Sequence, residues 1–246
     1  MKKNFRILSL IVSVLAIALI VVSCKKKTDD PEEPTPTPKP HWYSPEPGEN
    51  GTVPLSVLPE ILYDSVTQYF TINTGTNPPA VEGQFVSSPH GLIHSTVPND
   101  TMQIYNDRYI AFYEHDTLVD FYGKQWDDDY NKYYNETFRG IYLLGSGENF
   151  SCYYLTEGYP NGMYAKQATI FSGTWDESLG GLGDFQVAVL LLETSGNTHL
   201  APVNSFRVLG DIDGLARDTT WFSHKKDFNT DIEISAEDAF SMFRVK

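Results

Sequence analysis

From Gln103 to Gly210 the chain is a succession of short, aromatic-rich apolar segments separated by turns. "QIYNDRYIAFYEHD" and "TLVDFYGKQW" read as strands interrupted by polar residues, and the 15 tyrosines and 14 phenylalanines of the chain favour that state. "FRGIYLLGSGENFSCYYL" sets two apolar stretches on either side of Gly145-Ser146-Gly147-Glu148-Asn149, the layout of a hairpin. "YPNGMYAKQATIFSGTW" adds a turn at Pro160-Asn161-Gly162 and a further strand. "FQVAVLLLET" is apolar on both faces, as a strand covered on both sides must be, and Ser195-Gly196-Asn197 then turns the chain into "LAPVNSFRVLG". Links this short cannot carry the crossover that parallel strands need, so the predicted sheet is an antiparallel meander. About eight strands in that order close into a barrel or stack as a β-sandwich.

Helices are expected at both ends of the meander. "SVLPEILYDSVTQYF" places Leu58, Ile61, Leu62, Val66 and Tyr69 at helical spacing, with Pro59 tolerable in the first turn. "YFTIN" then alternates like a strand. "DIEISAEDAFSMF" reads as a strand running into a helix that Ser235 caps, with Asp238 three residues on. An all-β chain with a short helix before the meander and one at the C-terminus resembles the lipocalin-like barrels, which places the barrel ahead of the sandwich. The Gly-x-Trp start of lipocalins is missing, and "EGQF" stands nearest to it.

The meander is preceded by a different kind of sequence. "MKKNFR" is basic, and Ile7 to Val22 is apolar except for two serines, which is the layout of a signal peptide over residues 1–23. The run is short for a permanent membrane span. It ends in Val21-Val22-Ser23-Cys24, which resembles the lipobox of bacterial lipoproteins. The resemblance implies cleavage before Cys24 and acylation of that cysteine, palmitate among the chains. Several acyl chains hold a protein on a membrane where one binds only marginally. "KKKTDDPEEPTPTPKP" resembles the surface-export signal of Bacteroidetes lipoproteins, which implies an outer-membrane protein displayed on the cell surface, with the periplasmic face as the alternative. Seven prolines between Pro31 and Pro47 favour an extended spacer, so residues 24–52 read as a linker and 53–246 as a single mostly β domain.

Charge narrows the partners. The net charge is −14, and removing residues 1–23 takes away three bases (Lys2, Lys3, Arg6) and no acid, leaving 15 basic and 32 acidic residues, or −17. Such a chain repels phosphate backbones, so nucleic acid is excluded as a partner, and contact with an anionic membrane needs the lipid anchor. "INTGTNPPAVEGQF", "GSGENFSCYYL", "IFSGTW" and "FRVLGDIDGLARDTTW" resemble segments of a set of uncharacterised secreted lipoproteins of Bacteroidetes, over about residues 70–221. That resemblance implies an envelope lipoprotein and carries no activity.

Three groups of residues are candidates for chemistry. Trp126, Tyr130, Tyr133 and Tyr134 offer rings for stacking on sugars, and Asp127, Asp128 and Asp129 offer acceptors for sugar hydroxyls. The same acids would serve glycoside hydrolysis only as a pair about 5–9.5 Å apart across a cleft. Asp211, Asp213 and Asp218 in "GDIDGLARD" offer carboxylates to calcium, although the spacing departs from the EF-hand pattern and an Asp-Gly turn explains the same residues. No cofactor is expected otherwise. "DSV", "DTM", "DTL" and "DTT" resemble the O-glycosylation sequon of Bacteroidetes, with Ser65, Thr101, Thr117 and Thr219 as acceptors. His90 and His94 are four apart without the glutamate of a zinc-protease helix, and alternation puts both on one face of a strand. Cys152, among aromatics, reads as a buried thiol.

The expected function is therefore a lipid-anchored envelope protein of non-enzymatic binding type, its ligand a glycan or a small apolar molecule. A carbohydrate-active hydrolase and a structural or adhesive surface protein are the alternatives. Replacing Cys24→Ala is predicted to abolish incorporation of labelled palmitate into the protein in growing cells; persistent labelling would refute acylation at this residue.

Overall fold

The computed structural model describes residues 40–115, 118–128, 131–220 and 235–244. Its strands are β1 (His41–Tyr43), β2 (Thr76–Asn77), β3 (Gly83–Ser87), β4 (His90–Ser95), β5 (Ile104–Tyr105), β6 (Arg108–His115), β7 (Leu118–Asp127), β8 (Lys132–Ser146), β9 (Asn149–Gly158), β10 (Ala165–Asp176), β11 (Gly181–Thr194), β12 (Phe206–Asp211) and β13 (Leu215–Asp218). Helix α1 spans Glu60–Thr67 and α2 spans Ala236–Ala239.

The meander closes as a barrel of eight antiparallel strands, in the order β3–β6–β7–β8–β9–β10–β11–β13 and back to β3. Closure depends on two bent strands. β12 and β13 both run antiparallel to β11, β13 against Gly181–Gly183 and β12 against Gln186–Leu190, so they are successive stretches of one strand. β3 and β4 pair in turn with β13 and β12 in the same antiparallel sense. The bends let the wall turn a corner without leaving a free edge, which is how a closed sheet avoids exposing unpaired backbone.

Side chains alternate between the lumen and the outside along each strand. The lumen receives Phe85, Phe112, Phe121, Phe150, Phe171 and Phe185, all fully buried. Phe171 on β10 meets Phe121 of the opposite wall at 4.4 Å and Phe112 at 6.3 Å between ring centroids, so the rings fill the space from wall to wall. On the outside, α1 lays Leu62 and Val66 over Ala168, Ile170, Ala188 and Leu190, with Val57, Leu58 and Phe70 completing the layer. β11 is thus covered on both faces, which accounts for the unbroken apolar run in its sequence.

β8 and β9 pair only from Tyr142 and Tyr153 to the hairpin tip. Before that, Gly140 sits at φ +67° where the β7–β8 register shifts, and its N–H is held by the Asp120 carboxylate at 3.0 Å. A glycine in this conformation bends a strand at a bulge, and here it turns the first half of β8 away from β9. β1 takes the vacated edge of β9, pairing His41–Tyr43 with Glu157–Leu155, and Trp42 meets Phe138 at 5.2 Å. The ordered domain therefore begins before Val53, inside the stretch that proline content marks as a spacer. Among the described residues no helix is long and apolar enough to cross a membrane.

One local expectation gives way. "YFTIN" is not a strand: Tyr69 and Phe70 close the end of α1 on the Val66 carbonyl, and the N–H groups of Thr71 and Asn73 go to the Gln186 and Ser151 side chains. The strands beneath are already paired on both edges, so this segment is tied down by side chains and has no ladder to join. At the C-terminus, Ser235 Oγ accepts the Asp238 N–H at 3.1 Å as the capping pattern requires, while the strand expected before it lies outside the described residues. Phe121→Ala is expected to cost about 3–5 kcal/mol of unfolding free energy, because neighbours locked in the filled lumen cannot collapse onto the void. Urea denaturation of the full chain measures it.

Candidate functional site

The β7–β8 hairpin separates the sequence candidates by face. Trp126 and Tyr133 are register partners on its outer side and pack edge to face at 4.9 Å. Lys124 places its ammonium 4.2 Å from the centre of the Tyr133 ring. Tyr109 on β6 stands opposite Lys124, and Tyr113 packs edge to face on Tyr122 at 5.7 Å lower on the same wall. Tyr133 is 42% exposed and Trp126 half-buried, so the wall presents rings to solvent. Asp128 fixes the indole: its carboxylate accepts the Trp126 Nε1–H at 2.9 Å and the Asn106 amide at 2.8 Å. A ring held this way loses little freedom when it meets a ligand.

Tyr134 belongs to the other face. Its register partner is Gln125, and its hydroxyl donates to the Asp238 carboxylate of α2 at 3.3 Å, beside the Lys132–Asp238 ion pair at 3.0 Å. Desolvation, with Asp238 and Asp127 alongside, pushes the phenol up to about 12. Asp127 stands opposite Lys132 at the end of the ladder. Asp129, Tyr130, Thr117 and Cys24 lie outside the described residues. The hairpin thus brings together Trp126, Tyr133 and Asp128 and adds Lys124, with Tyr109 contributed by β6; the sequence reading passed over these last two.

In the loop between β12 and β13 the carboxylates have other partners. Asp211 is buried; one oxygen accepts the Ser88 N–H at 2.9 Å and the other the N–H groups of Asp213 and Leu215 at 3.2 and 3.3 Å. Burial, with the neighbouring Asp213, raises its pKa. Asp213 pairs with Arg217 at 2.8 Å, which holds its carboxyl down at about 2. Asp218 is exposed on β13, where its register partner is Phe85. This is an Asp-Gly turn stapled to the β3–β4 bend, and among the described residues no group of three or more His, Cys, Asp or Glu is placed to hold a metal ion. Ser65 is exposed on α1, Thr101 is exposed in the loop after β4, and Thr219 is half-buried after β13. The sequon acid Asp100 is tied to Arg207 by two contacts of 2.6 and 2.7 Å.

The histidines do not share a face. The register of β4 against β12 shifts between Leu92 and His94, so the bulge sends His90 into the lumen and His94 outward. His94 stacks on Tyr69 with centroids 3.6 Å apart and planes 3° from parallel. His90 is fully buried against Ser87 Oγ at 3.0 Å, and desolvation, reinforced by the Arg108 charge, lowers its pKa to about 3. Cys152 is free and fully buried in the lumen, which pushes its thiol far above the usual range and leaves it no nucleophilic role.

The lumen changes character along its length. Ile110 and Phe112 point inward on β6, so Arg108 does as well, and it pairs with Glu136 of β8. Gly123 lies between their strands; a Cβ there would come within 2.7 Å of the Glu136 carboxylate, so the glycine makes room for it. Ser87, Arg108, Gln125 and Tyr134 are successive register partners across β3, β6, β7 and β8. On the far side Thr156 and Gln167 face each other across β9 and β10, and Gln167 Nε2 donates to the Ala239 carbonyl at 2.8 Å. The capped turn of α2, bonded to Tyr134 and to Gln167, joins the two arcs into a polar belt at one end of an otherwise aromatic lumen.

No family model matches the sequence, and no curated protein or solved structure matches it either. The class that the fold defines is a closed eight-stranded antiparallel β-barrel.

His90 makes a pH prediction. Its folded pKa lies below the unfolded one, so the unfolded chain takes up a proton first as pH falls; stability is unaffected above about pH 6.5 and declines below it, by about 2 kcal/mol at pH 5. His90→Gln should remove that slope between pH 6.5 and 5 in urea melts, whatever it does to stability at pH 8.

Proposed function

We propose that this protein is a lipid-anchored cell-envelope protein of non-enzymatic binding type, and that the outer wall of β6, β7 and β8 recognises a glycan. The observation that carries the reading is the pair Trp126 and Tyr133, edge to face at 4.9 Å, solvent-accessible, with Lys124 over one ring and Asp128 bracing the other. Rigid aromatic faces stack on the C–H faces of sugar rings, and the flanking amide, ammonium and carboxylate groups bond hydroxyls. The Cys24 lipobox and the proline-rich segment after it support presentation of the barrel at a membrane, on the cell surface by the Lys27-Thr28-Asp29-Asp30 signal.

The apolar-ligand version of this reading has less support, because phenylalanine rings occupy the apolar part of the lumen from wall to wall. The hydrolase alternative also has less, because Asp128 is engaged with the indole and Asn106 while Asp127 stands opposite Lys132 in the ladder. Binding of the full chain, purified in mild detergent, to an immobilised glycan array tests the proposal. Binding to a defined glycan class that drops at least tenfold with Trp126→Ala, with the urea midpoint retained, is the expected outcome. Array binding indifferent to both Trp126→Ala and Tyr133→Ala, or none at all, would exclude this wall as the site.

A further inference from the structure

Four buried side-chain atoms lack a hydrogen-bond partner among the described residues: His90 Nε2, Arg108 Nε, Thr156 Oγ1 and Gln167 Oε1. Folded proteins satisfy nearly all such atoms, and one left bare is destabilising. Chance would scatter them, yet all four belong to the polar end of the lumen, two on the arc of β4 and β6 and two on the facing arc of β9 and β10. That end is not sealed. Gln125, Tyr134 and Glu136 point inward and still keep part of their surface in solvent.

The chemistry of the four atoms defines the guest. Arg108 Nε offers a donor and Gln167 Oε1 an acceptor; Thr156 Oγ1 does either, and His90 Nε2 does one or the other according to its tautomer. An anion is disfavoured, because the Arg108 charge is already neutralised by Glu136 and the chain carries a net −14. A cation finds the Glu136 carboxylate paired with Arg108 and the Asp238 carboxylate paired with Lys132. What remains is a neutral molecule with hydroxyls in several directions. Phe138 and Tyr154, stacked at 3.7 Å, and Trp42, edge-on to Phe138, supply aromatic surface beside the belt for its C–H groups.

We infer that the polar end of the lumen is a second binding site, for a small neutral polyol or one terminal sugar residue. It shares no residue with the outer wall and does not depend on that wall binding a glycan. The probes are glycerol, glucose, galactose and N-acetylglucosamine, titrated into the full chain in mild detergent and followed by saturation-transfer NMR. At least one should bind saturably. Thr156→Val keeps the shape and removes one bonding atom; it should weaken that probe about 3- to 10-fold and preserve the fold, and do so by the same factor in a Trp126→Ala background, where the outer wall is disabled. A crystal structure soaked in the bound probe should place it within hydrogen-bond distance of Thr156 and Arg108. The inference is overturned if no probe binds saturably, if binding is lost in Trp126→Ala and retained in Thr156→Val, or if the soaked crystal holds ordered waters alone against the four atoms.

Discussion

The structure depends on one set of backbone hydrogen bonds: those that join the first wall strand, β3 with its continuation β4, to the last, β13 with β12. A meander of consecutive hairpins pairs every strand with its sequence neighbours without help, but its two end strands keep a bare edge. Joining them converts a sheet with two faces into a wall with an inside and an outside. Each strand then sorts its residues by alternation between a lumen and an outer surface, and a single-residue shift at β4 is enough to send His90 one way and His94 the other. The filled lumen, the helix laid on the outer wall and the separation of Tyr133 from Tyr134 all follow from closure combined with period-two geometry.

Much of the fold was legible because the signals were local. Turn residues at 145–149, 160–162 and 195–197 marked hairpins, and the run at 185–192 declared a strand covered on both faces. A closed barrel was expected from the resemblance to lipocalin-like barrels, and the barrel is there, but which strands close it was not legible. Closure is a contact between residues near 85–95 and residues near 207–218, and nothing in either stretch names the other. The site was readable in part. Composition pointed to the 126–134 hairpin, but whether Tyr133 and Tyr134 share a face is a question of alternation, and adjacent residues in an unbulged ladder do not. The inner belt was missed for a different reason. Arg108 in "RYIAFYEH" shares the parity of Ile110 and Phe112, which is the pattern of a charge turned inward, but the sign is faint unless the face is known to be enclosed. The pairing of His90 and His94 failed because a bulge is a backbone event that parity counting does not detect.

The two ends of the lumen do different physical work. The aromatic half holds the wall in shape by filling it, and rings from opposite strands touch, so it tolerates no loss of volume. The polar half is held by paired charges and by the C-terminal turn, whose Asp238 and Ala239 reach Lys132 and Tyr134 on β8 and Gln167 on β10. The core thus gives one part to packing and another to hydrogen bonding. The outer aromatic wall stands on the strands that carry the polar arc, so Trp126 and Arg108 sit on neighbouring strands of the same barrel quarter.

β1 gives the domain a mechanical property. It is a three-residue strand at the N-terminal margin of the described barrel, clipped along β9 where β8 has turned aside, with Trp42 inserted beside Phe138. Tension on the chain from that side reaches this clip before it reaches any strand of the closed ring. The ladder of β1 and the seating of one indole lie outside the closed ring, so if they part the eight wall strands keep every ladder they make with one another.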